Sequence, residues 1–341
     1  MALIMSSEIE AFEVRVQSAL DRKTKPIGAL GRLEPLAAQI AHIQGTLSPR
    51  AETCTLTIFA GDHGMATMGV SAYPQVVTRQ MVQNFLAGGA AANVFARAVG
   101  AEIQVVDAGI AGDPIEHPNL INCRISSGTE NAIEGPAMTQ GQLGDALEAG
   151  HSIGKNIDAD VACFGEMGIG NTSAASLIAA KLLGRPVVEL IGRGTGLDNE
   201  GLTLKHSLLE RAAIRTPDLL TVENALCEYG GFEIAMMAAA MVSAAKARRV
   251  VLVDGFISSV AALCADRMAP ECRASFVFAH RSAEAGHDIV LEALGAKALL
   301  DLDMRLGEGT GALLAFPLLK AAAAMLLDMA SFESANVSGP V

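Results

Sequence analysis

The chain reads as an α/β protein: a mainly parallel sheet with helices on both faces, in Rossmann-like layers. Three features predict this. Short β-branched runs alternate with Ala-rich helical runs from about residue 50 onward. The β-branched runs are continuously apolar, as strands covered on both faces are. Most of them end in Gly or Asp just before the next helical stretch, the punctuation of a βαβ chain.

Taken in order, residues 8–46 read as helical. Ile9, Phe12, Val16 and Leu20 recur at helix spacing, Lys25-Pro26 and Gly28 to Gly31 interrupt, and a second helix follows to Gly45. Strands are predicted at 53–59, 103–106, 161–164, 187–190, 250–253 and 275–278, with 298–300 as a further candidate. Helices are predicted near 74–99, 140–156, 172–183, 202–212, 219–227, 231–246, 258–267, 284–294 and 311–330. The last is the most apolar stretch, but Pro317, Lys320 and Asp328 interrupt it, so it reads as a buried helix and not a membrane span. Ligands of such sheets collect beyond the carboxyl ends of the strands. The segments just after each strand are therefore where chemistry is expected.

Composition narrows the class. At 341 residues and 51% hydrophobic the chain can bury a large core, but aromatics are only 4% and Trp is absent. Bulk must come from aliphatic side chains and many Ala, which suits helices packed closely on a sheet. The formal net charge of -12, without a basic stretch, makes nucleic acid and anionic membranes poor partners. Any anionic ligand must be held by local devices such as helix N-termini and single cations. Cys54, Cys123, Cys163, Cys227, Cys264 and Cys272 form no CxxC pair and sit mostly in apolar runs. They read as reduced, buried thiols of a cytoplasmic protein, with no metal centre. The N-terminal apolar run is short and followed by acids, unlike a signal peptide.

Five segments carry residues of chemical interest. Gly165-Glu166-Met167-Gly168-Ile169-Gly170-Asn171-Thr172 follows a strand and precedes a helix. Its free N–H groups can hold a phosphate, or it is a plain glycine turn. It lies far from the domain's N-terminus and lacks the fingerprint spacing, which argues against a dinucleotide-binding fold. In Arg305-Leu306-Gly307-Glu308-Gly309-Thr310-Gly311, a carboxylate stands between glycines before a long apolar helix. It is either a solvent-exposed turn residue or a ligand-facing base whose pKa an apolar pocket would raise. Asp62-His63 follows the first strand, with no second ligand at metal spacing, so positioning of the next loop is the expected role. In the segment from Gly69 to Gln75, running into Thr78, Gln80 and Met81, the Tyr73, Pro74 and Met81 side chains can line a flat apolar slot for an aromatic ring, or the segment simply opens a helix with Pro near its start. Val250 to Ser259 resembles at a glance the signature of magnesium-dependent transferases that use pyrophosphorylated ribose. Those carry two adjacent acids, whereas Asp254 stands alone before Gly-Phe.

Together these segments resemble one family over nearly the whole chain: the nicotinate-nucleotide–dimethylbenzimidazole phosphoribosyltransferases of cobalamin nucleotide-loop assembly. The resemblance rests on KPIGALGRLE at 25–34, FAGDHG at 59–64, the VSAYP segment at 70–74, FGEMGIGNT at 164–172, GRGTGLD at 192–198, GGFEIA at 230–235, LVDGFI at 252–257 and LDMRLGEGTGA at 302–312. It implies transfer of phosphoribose from nicotinate mononucleotide to 5,6-dimethylbenzimidazole, with inversion, giving α-ribazole 5′-phosphate and nicotinate. No cofactor is implied. Glu308 matches the family's general base, flanked in the nucleotide site by Gly307 and Gly309. The phosphate loop maps onto Gly168, Ile169, Gly170, Asn171 and Thr172, with Lys205 as its cationic partner and Glu166 beside it. Ser71, Tyr73, Gln80 and Met81 are the residues expected at the benzimidazole slot. The resemblance also implies a homodimer, and a large α/β domain (49–319) with a small helical domain from both chain ends (1–48 with 320–341). The rival readings are the magnesium-dependent transferase and a nucleotide- or base-binding module without catalysis.

Overall fold

The computed structural model describes residues 2–194 and 196–339, with side chains from residue 10 onward; Thr195 of the GRGTGLD segment, the side chain of Ile9 and the last two residues of the chain lie outside that description. The chain begins with helices α1 (Ala2–Asp21) and α2 (Leu33–Gln44), then strand β1 (Cys54–Gly61), helices α3 (Val76–Ala87) and α4 (Ala91–Val99), and strands β2 (Glu102–Gly109) and β3 (Leu120–Asn122). Helix α5 (Gln140–Lys155), β4 (Val161–Met167), α6 (Asn171–Leu183), α7 (Asn199–Ala213), α8 (Val222–Tyr229) and α9 (Phe232–Lys246) follow. The rest is β5 (Val250–Val253), α10 (Phe256–Met268), β6 (Phe276–Phe278), β7 (His280–Arg281), α11 (His287–Ala293), β8 (Leu300–Asp301) and α12 (Thr310–Asp328).

Six strands form one sheet in the order β3-β2-β1-β4-β5-β6, and every pairing in it is parallel. A short parallel pair, β7 with β8, continues from its edge. Side-chain alternation divides the core between two faces. On β4 and β5, Ala162, Phe164, Val251 and Val253 face a core shared with α5 to α11. Their neighbours Val161, Cys163, Val250 and Leu252 face the other core, shared with α1 to α4 and α12. Burial on both sides is why these strands are continuously apolar.

Both chain ends pack on that second face. Lys23 bridges to Ser331, and Phe332 donates its N–H to the Arg22 carbonyl. Helix α12 is long and apolar enough to cross a membrane, but three-fifths of its most apolar window is buried inside the protein. It runs unbroken through residue 320, so the two chain-end segments and the sheet share one helix.

Several sequence expectations need correction. Residues 187–190 are a turn of 3₁₀ helix, not a strand. Pro186 precedes it, and Val187 and Leu190 are buried at the i, i+3 spacing of such a turn while Val188 faces out. The helix expected over 74–99 is two helices, because Gly88 takes a left-handed φ of 80° and ends α3. Strand β3 is too short to leave a periodic signal. The strand order is that of the dinucleotide-binding fold, against expectation. The glycine loop follows β4, however, and not the first strand.

Candidate active site

The reversal of strand order falls between β1 and β4, and the crevice beyond their carboxyl ends is a cavity of about 590 Å³. It draws on segments that follow β4, β5, β6 and β8, together with one stripe of α3. Among its walls are Tyr73, Val77 and Met81, the loop from Glu166 to Ile169 with Asn171 and Thr172, Asp254 to Ser258, and Arg305 to Glu308.

Glu308 is buried at 5% exposure and stands at φ 61°, between Gly307 at 86° and Gly309 at 79°. A run of left-handed residues including a glutamate is strained by about 1–3 kcal/mol. The surroundings hold it there: Gly165 lies against the Glu308 main chain, and the following helix α12 is buried. Burial raises the Glu308 pKa, the N–H of Ala92 at the start of α4 opposes the rise, and the charge of Asp254 adds to it. Its Oε2 has no hydrogen-bond partner. An unsatisfied buried acceptor costs roughly 1–3 kcal/mol unless a ligand completes it.

Glu166 ends β4 and accepts a short hydrogen bond from Asn171 Nδ2. Burial first, then Asp254, Glu233 and Glu308, push its pKa up to about 8, so it is largely protonated at neutral pH. Asp254 follows β5; Ala312 N–H donates to its Oδ1 at 2.9 Å, and His280 Nδ1 stands 3.6 Å from the same oxygen. Burial raises its pKa, against His280 and backbone N–H groups. The cavity thus gathers Glu166, Asp254, Glu284 and Glu308, and among the described residues its one lysine or arginine is Arg305. With Glu166 largely neutral, the other three acids are the ones that favour a cationic ring or a developing positive centre over bulk anions.

An anion has one local alternative. The loop at Gly168 to Thr172 opens α6, so a helix N-terminus meets the cavity wall. Lys205 is fully buried behind this loop and does not line the cavity. Its Nζ donates to Thr172 Oγ1 and to the Gly192 carbonyl, both at 3.2 Å. Burial lowers its pKa to about 8, against the pull of Glu284.

Of the residues expected at the site, Glu308, Glu166, Gly168, Ile169, Asn171, Thr172, Gly307, Tyr73 and Met81 line the cavity. Ser71, Gln80, Gly170, Lys205 and Gly309 do not. Gln80 points to solvent, because the phase of α3 turns Val77 and Met81 inward instead. Gly170 caps α6 from behind the wall and Gly309 lies under it against Leu56. Val77, Ser258, His280, Ser282 and Glu284 also line the cavity without being among the residues expected there, and Asp254, which in the sequence marks only a departure from another signature, stands among them. Part of the signal is local: Asp254 directly follows β5, while His280 opens β7 and Ser282 and Glu284 lie just after it. His63 pairs instead with Glu233 at 2.6 Å, fully buried beneath the site. Among the described residues, no group of three or more His, Cys, Asp or Glu side chains is arranged to hold a metal ion.

The wider relationships agree with this geometry. A family model described as phosphoribosyltransferase matches residues 6–337. The nicotinate-nucleotide–dimethylbenzimidazole phosphoribosyltransferase of Dechloromonas aromatica (strain RCB) is 53% identical over 332 residues, covering 96% of this chain and 95% of the relative. The protein of the same name from Variovorax paradoxus (strain S110) is 47% identical over 328 residues, covering 96% and 94%. A crystal structure of this phosphoribosyltransferase from Thermus thermophilus superposes with a TM-score of 0.92 at 41% identity, covering 97% of this chain and 99% of that one. A sheet order, a cavity and a full-length match that all agree leave one assignment: the chain belongs to the nicotinate-nucleotide–dimethylbenzimidazole phosphoribosyltransferase family.

Proposed function

We propose that the protein transfers the phosphoribosyl group of nicotinate mononucleotide to 5,6-dimethylbenzimidazole, yielding α-ribazole 5′-phosphate and nicotinate for cobalamin assembly, with Glu308 as general base. The observation that carries the reading is a buried glutamate on a strained loop, its free carboxylate oxygen set in a cavity with an apolar wall on one side and a phosphate-sized loop on the other.

The chemistry needs one base. In the mononucleotide the pyridine nitrogen is already positive. When the bond from C1′ to that nitrogen breaks, the electron pair neutralises it and nicotinate leaves without a proton donor. The incoming benzimidazole nitrogen forms the new bond to C1′ and would become cationic. Loss of the ring N–H proton to Glu308 prevents this. A positioned base of this kind contributes about 10²–10⁴-fold. Attack from the opposite face inverts C1′, and the acids around the cavity favour the positive charge that develops there. In this reading Tyr73, Val77 and Met81 hold the flat base, and the loop from Gly168 to Thr172 holds the phosphate. Lys205 acts on that loop from behind, through the Thr172 hydroxyl.

The deciding variant is Glu308→Gln. Turnover should be nearly abolished, read as nicotinate released, while equilibrium binding of nicotinate mononucleotide persists. Near-normal turnover removes Glu308 as the base.

The same reading extends to a cytoplasmic homodimer in which 1–48 with 320–341 form a small helical domain beside 49–319. Ile27 (73% exposed) and Leu30 (39%), close together on one loop, support a covering partner, and six unpaired cysteines suit a reducing compartment. Sedimentation of the purified protein tests the dimer.

A further inference from the structure

Asp62 and Thr78 connect the two halves of the cavity, a link the transfer chemistry above leaves unused. Asp62 follows β1 and is 1% exposed; Thr78 lies in the first turn of α3 and is fully buried. Thr78 Oγ1 donates to Asp62 Oδ1 at 2.7 Å and accepts the N–H of Ile169 at 3.0 Å. The amide can only donate and an ionised carboxylate can only accept, so the hydroxyl proton points to Asp62 and the polarity of the chain is fixed. Asp62 is itself anchored. Its Oδ2 accepts from Ala111 N–H at 2.8 Å, its own N–H donates to the Gly109 carbonyl, and its carbonyl accepts from Thr129 N–H.

The two ends of this relay are the two substrate supports. Ile169 is in the middle of the loop that opens α6. Val77 and Met81, which line the cavity, flank Thr78 on α3. The hydroxyl therefore ties the apolar wall to the phosphate loop across the gap where the reacting atoms must meet. We infer that Thr78, held by Asp62, is a positioning residue that sets the distance between the bound aromatic base and C1′ of the bound nucleotide. The inference rests on the placement of the base slot and phosphate loop given above. In-line transfer between two separately held substrates is sensitive to such a distance, and a displacement near 1 Å can cost about 10²-fold.

Thr78→Val keeps the shape and removes the hydroxyl; Thr78→Ser keeps the hydroxyl. For Thr78→Val we expect kcat to fall by about tenfold or more, with the KM for nicotinate mononucleotide changed by less than about threefold. Thr78→Ser should stay within about threefold of the parent kcat. A Thr78→Val protein with parental kcat, or a Thr78→Ser protein that falls as far, overturns the inference. If Thr78→Val does not fold, Asp62→Asn must show the same split between kcat and KM. Failure of both to fold makes the pair structural and also overturns it. Met81→Ala, run alongside, reports on the slot itself through the KM for dimethylbenzimidazole. An unchanged KM there means the slot is misplaced. A raised one, with Thr78→Val fully active, means the slot stands and the relay does not.

Discussion

Gly165 on β4 lies directly against the backbone of Glu308, so that a Cβ at residue 165 would stand 2.6 Å from the Glu308 carbonyl carbon and 2.7 Å from the Gly309 nitrogen. The obstructing atoms are main chain and cannot rotate away. Gly165→Ala should push the Glu308 loop out of register while the rest of the sheet persists. We expect at least a tenfold loss of kcat and a destabilisation of about 1–3 kcal/mol, the usual range for overpacking. Steady-state kinetics with a thermal melt checks both. A fully active alanine variant would mean that the position of the Glu308 main chain is not critical.

Glu166 gives a pH signature in stability. Its folded pKa, about 8, lies above the ordinary carboxylate value, so from about pH 4.5 to 8 the native state holds a proton that the unfolded chain has released. Over that window this group's contribution to stability falls as pH rises, by up to about 1.4 kcal/mol per pH unit. Glu166→Gln removes the proton and the penalty. Its melting temperature should therefore gain on that of the parent as pH is raised from 5 to 8. Parallel melting curves across that range would show that Glu166 ionises normally.

Glu308 gives a pH signature in rate. A base must be unprotonated to accept a proton, and burial holds this one above the usual range. The kcat/KM for dimethylbenzimidazole should fall on the acid side with unit slope, and the midpoint should lie above that of a free glutamate. A profile flat down to pH 4 would separate the rate from Glu308.

Lys205 should act on one substrate only. Lys205→Met removes the charge behind the loop and leaves Thr172 Oγ1 and the Gly192 carbonyl without the donor they share. The KM for nicotinate mononucleotide should rise about tenfold or more, with that for the base little changed. An unchanged mononucleotide KM would remove Lys205 from phosphate binding.

Much of the fold was legible because it depends on local pattern. Val250 to Val253 and Val161 to Phe164 are short apolar runs with turn residues after them, and each forms a strand of the sheet. Val187 to Leu190 has similar composition but follows Pro186 and forms a turn of 3₁₀ helix, with Val187 and Leu190 buried three residues apart. The candidate loops at Glu166 and Glu308 were legible for a related reason. Glycines on either side of an acid are a local feature, and the strand-loop-helix context fixes which end of the sheet they occupy.

The layered α/β class, the glycine-flanked acid Glu308, the glycine loop around Glu166 and the family signature are all carried by residues close together in the chain and are legible from it directly. That Met81 and Val77 face the cavity while Gln80 faces water, that Lys205 bonds Thr172 from behind the Gly168–Thr172 loop, and that Asp62, Thr78 and Ile169 are joined in one relay is visible only in the packed fold. Contact between residues 16 and 91 positions apart depends on how strands pair and how each helix is rotated about its axis. Those are settled by packing the whole core, and no short stretch of sequence contains them.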